Sequence, residues 1–430
     1  MSRIAFIGAG SVEFTKNLLG DILSFPELAD AEIALHDIDP ERLEVARAMA
    51  RYTADALGAA PRIEVHADRR RALEGADHVV NMIQVGGHAA TLLDFEIPAA
   101  HGLRQTIGDT LGIGGIFRAL RTIPVMLALG REMAELCPQA WLLNYTNPMA
   151  MLCWATYEGT RQQRVVGLCH SVQNTTSELA ELVGVPFDEA SFLGAGVNHQ
   201  AFILRFERDG EDLYPLLDRA IERDPELRRR VRVEMYRRLG YFPTESSEHS
   251  AEYLPWFTRS DEAIEHFRIP VGEYVARSEE NLALYTQMRH DLESGAEIEI
   301  ERSQEYASLI IHSVLTGRER VIYGNVRNDG LIANLPTGAC VEVPCLVDRN
   351  GVQPTVVGAL PPQLAALNRT FLNVCELTVR AALEGRRDHV HHAALLDPSA
   401  AASLSPDAIH AVVEELIDAH GDALPDGIRR

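Results

Sequence analysis

The sequence has 430 residues, with 62 acidic against 40 basic side chains and a formal net charge of −22. That length supplies one large or two ordinary domains with a buried core. So large an acidic excess argues against nucleic acid or an anionic membrane as partner, because no long basic patch offsets it. The densest positive run, Arg228, Arg229, Arg230 and Arg232, is interleaved with apolar positions and reads as the solvated face of a helix. The N-terminus passes straight into Arg3-Ile4-Ala5-Phe6-Ile7-Gly8, without the apolar stretch and cleavage site of a signal peptide, so a cytoplasmic location is expected. No run approaches the roughly 18 consecutive apolar residues of a membrane helix. The six cysteines show no C-x-x-C spacing, which speaks for reduced thiols and against a structural zinc.

Taken in chain order, strand patterns fall at Ile4 to Ile7, Ala31 to Leu35, Ile63 to Val65, His78 to Ile83, Trp141 to Leu143 and Val165 to Leu168. Most are separated by helical periodicity. Asp39-Pro40-Glu41 marks a helix start, with an N-cap before a proline at the first helical position. The alternation predicts a Rossmann-like, doubly wound α/β sheet over residues 1–195. From 196 to 430 the character changes to an α+β domain. It has a strand at Gln200 to Phe206, charged helical stretches from Leu216 to Leu239, a strand-rich patch from Val321 to Val347 and a helical tail from about Gln363. Ser405-Pro406-Asp407 marks another helix start. No linker or repeat separates the halves, so a large shared interface is expected.

Gly8-Ala9-Gly10-Ser11 follows the first strand and opens a helix, where free backbone N–H groups can take a pyrophosphate. Glu13 stands where the usual fingerprint has its third glycine. Asp37 ends the second strand close to the distance expected of an acid that binds ribose hydroxyls, which favours NAD over NADP. Asn81 to Gly87 and Asn144-Tyr145-Thr146-Asn147-Pro148 end two further strands at the same carboxyl edge. Gly108-Asp109-Thr110 to Gly115, Cys169-His170-Ser171-Val172 and Asn198-His199 are expected to converge there. A thiolate from Cys169 and an imidazole from His199 can hold a divalent transition ion and leave positions open for substrate oxygens. Tyr241 to His249 packs two acids, a tyrosine and a histidine into one loop. That loop reads equally as a functional segment or as a capped turn before a helix at Ala251. His389, His391 and His392 read as a helix-end or surface feature, and no G-x-S-x-G supports a serine nucleophile.

The ensemble of Gly8-Ala9-Gly10-Ser11 with Phe14-Thr15, Gln105 to Gly112, Arg121-Thr122-Ile123-Pro124, Asn144 to Ala150 and Cys169-His170-Ser171-Val172 resembles the family-4 glycoside hydrolases. Within them it looks closest to the α-galactosidase branch, where Cys-His-Ser-Val is characteristic. The similarity continues through Thr244 to His249, Tyr323 to Gly330 and Leu335-Pro336, and so covers nearly the whole chain. The resemblance implies a lactate/malate dehydrogenase-like fold, NAD and Mn²⁺ as cofactors, a sugar as substrate, and a homodimer or homotetramer. It also implies hydrolysis without net redox change: hydride leaves C3 of the sugar, C2 is deprotonated, the leaving group is eliminated, water adds and the hydride returns. This route is an exception to two-carboxylate glycoside hydrolysis. By the same resemblance Cys169 and His199 hold the metal, Asn147 binds substrate, Asp109 raises the basicity of the base, and His170 either donates a proton to the leaving oxygen or binds the sugar. The base itself stays open among Tyr241, Glu245 and Glu248. An α-glucosidase or a uronic-acid-specific enzyme of the same family is the nearest alternative. A 2-hydroxy-acid dehydrogenase would need no metal and leaves Cys169 with His199 unexplained. A non-catalytic NAD-dependent sugar sensor would have no need to retain Cys169, His199 and Asp109 together.

Overall fold

The computed structural model describes residues 2–303 and 305–430. Six strands, β1 (Arg3–Ile7), β2 (Glu32–His36), β3 (Arg62–His66), β4 (His78–Asn81), β5 (Trp141–Asn144) and β6 (Val165–Leu168), pair in parallel in the order β3-β2-β1-β4-β5-β6. These are the six strands expected, in the strand order of a dinucleotide-binding sheet. Apart from the edge strand β3, which is only partly buried, their apolar runs are buried on both faces, as parallel strands covered by helices must be. β4 leaves the ladder earlier than the sequence suggested. Met82 still donates to Ile7 O at 2.9 Å, after which Gly86 and Gly87 turn the chain away at φ of +83° and +57°.

The sheet does not stop at β6. It continues through β7 (Ser191–Val197), β8 (Gln200–Arg208), β9 (Glu211–Asp212), β10 (Phe242–Pro243), β11 (Arg320–Arg327), β12 (Cys340–Asp348) and β13 (Gly351–Pro354). β11 lies antiparallel on β6, with Gly324 opposite Leu168 and Asn325 opposite Gly167. Beyond it come β12, β7, β8 and β10, while β13 flanks β12 and β9 flanks β8. Residue 195 falls inside β7, and one sheet runs through both halves of the chain. The turn between β7 and β8 is the dipeptide Asn198-His199, with His199 at φ +63°.

Local chemistry explains the helix ends. Asp39 accepts N–H bonds from Glu41 and Arg42 and starts the helix Pro40–Leu57; such a cap stabilises by about 1 kcal/mol. Ser405 caps Pro406–His420 in the same way through Ala408 N. The stretch from 216 to 239 is two helices, Tyr214–Arg223 and Val231–Leu239, interrupted where Asp224 caps a short 3₁₀ segment starting at Pro225. No helix begins at Ala251: Ser246 caps one turn, Ser247–Ser250, and Ala251 closes it. The helix Gly112–Leu136 is long and apolar enough to cross a membrane by length and composition, but 78% of that stretch is buried inside the protein, and it carries the buried Arg118 and Arg121. It packs against the helices Met149–Gly159 and Pro362–Glu384. All six cysteines are buried free thiols.

Candidate active site

The first glycine turn forms one wall of a cavity of about 800 Å³ lined by Gly8, Gly10, Ser11, Asp37, Ile38, Arg42, Met82 to Gly87, Tyr285 and Met288, among others. Gly10 N donates to Asp37 Oδ2 at 2.8 Å, and a Cβ on Gly10 would stand 2.6 Å from that same oxygen. Gly8, at φ +89°, approaches the backbone of Met82 and Ile83 so closely that a side chain there would meet it at 3.0 Å. Both glycines are therefore required by packing. Ser11 begins the helix Val12–Leu23 without a side-chain cap, which leaves the first N–H groups open toward the cavity wall. Across the cleft the helix Glu273–Ser294 brings Tyr285 under the Arg42 guanidinium at 4.0 Å. A glycine cradle, free helix N–H groups and an acid on the second strand suit a dinucleotide.

Next to this cleft the sequence candidates do meet. Asp109, 4% exposed, accepts from Asn147 Nδ2 at 3.0 Å and from the Thr110 hydroxyl at 2.8 Å. Thr110 Oγ1 is also 2.9 Å from His199 Nδ1. If Thr110 donates to the Asp109 carboxylate, His199 Nδ1 must carry the proton that Thr110 accepts; this network-based tautomer leaves the Nε2 lone pair free. His199 Nε2 faces Glu245 Oε2 at 3.6 Å, and Cys169 Sγ lies 3.6 Å from the same oxygen. Cys169, His199 and Glu245 thus offer sulfur, nitrogen and oxygen atoms all within 4.8 Å of one another. Asp109, His199 and His249 form an overlapping group.

Electrostatics suit a cation at this point. Burial lowers His199 to about 4, so its imidazole is neutral and available as a ligand. Burial pushes the Glu245 carboxyl up, but His199, His249 and His170 outweigh it and bring the group down to about 2. Burial, with Glu245 and Glu342 nearby, pushes the Cys169 thiol well above its ordinary value. A divalent ion is what would make a thiolate there, since coordination deprotonates a thiol. The donor set of soft sulfur, imidazole and carboxylate fits a first-row transition ion. Asn147 Oδ1 is buried with no partner, an acceptor available to a substrate hydroxyl.

His170 stands beside the group at the mouth, half exposed, with Nδ1 3.2 Å from Glu305 Oε1. The Glu305 hydrogen bond, against the opposing effect of burial, raises the basicity of this imidazole. Two sequence candidates are not brought into the cluster. Tyr241 neighbours Tyr214, and Glu248 contributes its backbone carbonyl to the Thr106 hydroxyl at 2.7 Å while its carboxylate lies outside both metal-capable groups. The reason is the short helical turn capped by Ser246. It directs Glu245 and His249, four residues apart, toward each other, with His249 Nδ1 3.7 Å from Glu245 Oε1. The sequence assigned no role to His249, Glu252, Arg118 or Tyr274. Glu252 is fully buried and accepts from Thr106 N at 2.7 Å and Gly108 N at 3.1 Å, pinning the loop that carries Asp109. Arg118 donates to Asn147 O at 3.1 Å and to the Tyr274 hydroxyl at 2.7 Å. Only the proximity of His249 to Glu245 in the chain hinted at any of these.

The family model for family 4 glycosyl hydrolases matches residues 3–185, and the model for the C-terminal domain of that family matches residues 194–400. The chain is 45% identical to an α-galactosidase of Bacillus subtilis, over 99% of this chain and 100% of that one. It is 36% identical to an α-galactosidase of Rhizobium meliloti, over 98% and 89% of the two. Among solved structures, a 6-phospho-α-glucosidase from gut microorganisms, in complex with NAD and Mn²⁺, superimposes with a TM-score of 0.81 over 98% of each chain at 20% identity, a likeness of fold. With both family models spanning most of the sequence and the metal-capable triad assembled at the end of β6, the chain belongs to the family 4 glycosyl hydrolases.

Proposed function

We propose that this protein is an NAD- and divalent-metal-dependent α-galactosidase. The observation that carries the reading is the convergence of Cys169, His199 and Glu245 beside a glycine-lined dinucleotide cleft, in a chain 45% identical to an α-galactosidase over its whole length. A two-carboxylate glycosidase has no use for a thiol at its centre, and a hydroxy-acid dehydrogenase has no use for a metal.

The geometry and the family resemblance together support a role for each residue. Gly8, Gly10, Ser11 and Asp37 hold the dinucleotide, and Cys169, His199 and Glu245 hold the metal, Mn²⁺ by resemblance. When bound, these groups supply a reversible hydride acceptor and a Lewis acid for sugar oxygens. Asn147 Oδ1 accepts a sugar hydroxyl, while its amide is held by Asp109. Glu305 occupies Nδ1 of His170, so Nε2 is the atom that presents a proton to the departing oxygen. Asp109 keeps His199 in its ligating tautomer through Thr110. Tyr241 and Glu248 remain candidates for the C2 base on the family resemblance alone. Acids crowd the site, and Arg118, a buried cation beside it, is committed to Asn147 O and Tyr274, which favours a neutral sugar over a uronate or a sugar phosphate. A homodimer or homotetramer is the form suggested by the family resemblance, and the N-terminal sequence suggests a cytoplasmic location.

The test is hydrolysis of p-nitrophenyl α-galactoside under reducing conditions, with and without NAD⁺ and Mn²⁺, beside the α-glucoside and α-galacturonide. Turnover of the galactoside that needs both additives and accumulates no NADH is expected. Turnover without either additive, or preference for the galacturonide, would discard the reading.

A further inference from the structure

A second group of metal-capable side chains lies on the C-terminal helices, away from the central cluster. His391 sits on the helix Arg387–Leu396, while His410 and Glu414 stand one turn apart on Pro406–His420. Their ligand atoms all lie within 4.8 Å of one another. His391 Nε2 is 2.9 Å from Glu414 Oε1, and the two imidazoles stack with centroids 4.3 Å apart. His391 Nδ1 is buried and has no hydrogen-bond partner.

The arrangement is partly organised for an ion. Residues four apart on a helix share a face, and the third ligand comes from a helix packed against it. Ligands about 2.0–2.2 Å from a tetrahedral ion stand roughly 3.3–3.6 Å apart, so rotamer-scale movement suffices. Arg387 holds the other oxygen of Glu414 and leaves Oε1 toward the histidines. The groups facing His391 are His410, Glu414 and Arg387. The neighbouring set Asp388, His389 and His392 lies on a single helix, and Arg386 already holds its carboxylate.

We infer that His391, His410 and Glu414 form a second metal site, for Zn²⁺ or another ion that prefers imidazole and carboxylate ligands, clipping the two helices together. The helix it would hold ends in His420, whose Nε2 lies 2.9 Å from Asp94 Oδ1. Asp94 pairs with Arg121, which donates to Val85 O in the cofactor cleft. An ion here would brace the tail against the scaffold of that cleft.

The experiment is equilibrium dialysis of the full-length chain, stripped with a chelator, against Zn²⁺ alone. His391→Ala and His410→Ala are each expected to bind one Zn²⁺ per chain fewer than the wild type. A His389→Ala/His392→Ala double variant should match the wild type. Added Zn²⁺ should raise Tm of the wild type more than that of His410→Ala. Equal stoichiometry in the wild type and His410→Ala overturns the inference, as does loss of the ion in the His389/His392 variant instead. Circular dichroism and cooperative thermal unfolding of the two single variants that match the wild type show that they are folded. The site is argued independently of the central cluster, so its failure leaves the proposed activity standing.

Discussion

Glu252 is a carboxyl with almost no access to solvent, and it carries the backbone of the Asp109 loop. Burial raises it to about 8, against the pull of the Gly108 and Thr106 N–H groups. Glu252→Ala leaves those two buried N–H groups unpaired, at about 1–3 kcal/mol each. It should lower both stability and kcat, read by denaturant unfolding and galactoside turnover; Glu252→Gln, which keeps a carbonyl acceptor, should recover most of both. His170 gives a second prediction at this scale. The Glu305 hydrogen bond raises its pKa, so the protonated ring persists to higher pH than a free imidazole would. If His170 Nε2 is the acid, activity falls as pH rises through that raised pKa. Glu305→Gln removes the carboxylate, so the alkaline limb of the kcat profile should move to lower pH. An unmoved limb in Glu305→Gln would assign the proton donation elsewhere. Asp109, Asn147, Cys169 and His199 were legible in the sequence as candidates, because each sits at a glycine-rich or strand-end position where backbone geometry exposes it. His249 was visible only as a member of the Tyr241–His249 loop, and Glu252 and Tyr274 were not visible at all, because their importance lies in contacts with Thr106 and Arg118, more than a hundred residues away along the chain.

Between residues and molecule stand the turns that aim them. The β1 turn depends on two glycines, and Gly10→Ala would place a methyl 2.6 Å from Asp37 Oδ2 and 2.8 Å from Arg42 Cβ. Moving Asp37 to relieve that contact should weaken NAD⁺ binding roughly tenfold or more, about 1.4 kcal/mol, with little change in galactoside affinity at saturating cofactor. Titration of NAD⁺ by protein fluorescence checks it, and an unchanged Kd would remove Asp37 from the cofactor contacts. The six parallel strands were readable because buried strands are continuous apolar runs bounded by turns. β7 was not singled out, because Ser191-Phe192-Leu193-Gly194-Ala195-Gly196-Val197 carries two glycines and a small residue that blur its pattern. The helix expected at Ala251 was not there, because Ser246 already caps the preceding single turn.

Across the whole molecule the N-terminal and C-terminal parts are tied by a buried polar core. Asp94, Arg121 and His420 are almost wholly inaccessible, with Arg121 bonding both oxygens of Asp94 at 3.0 and 2.6 Å. Removing one partner of such a pair strands the other charge, at roughly 3–5 kcal/mol. Asp94→Ala should therefore destabilise the chain by about that much in urea unfolding. It should also raise the Kd for NAD⁺, since Arg121 would lose its anchor beside Val85. Loss of stability without loss of cofactor affinity would uncouple this core from the cleft. The sequence by itself determined the class of sheet and the glycine turn after β1, and it singled out Cys169 and His199 as candidates, because local periodicity, helix caps and glycine turns are properties of adjacent residues. The tertiary structure alone decided that the second half extends the same sheet through β11 on β6, that Glu245 rather than Glu248 joins Cys169 and His199, and that Glu252 holds the Asp109 loop. Those outcomes depend on strand register and on the direction of side chains brought together from distant segments, which no local pattern encodes.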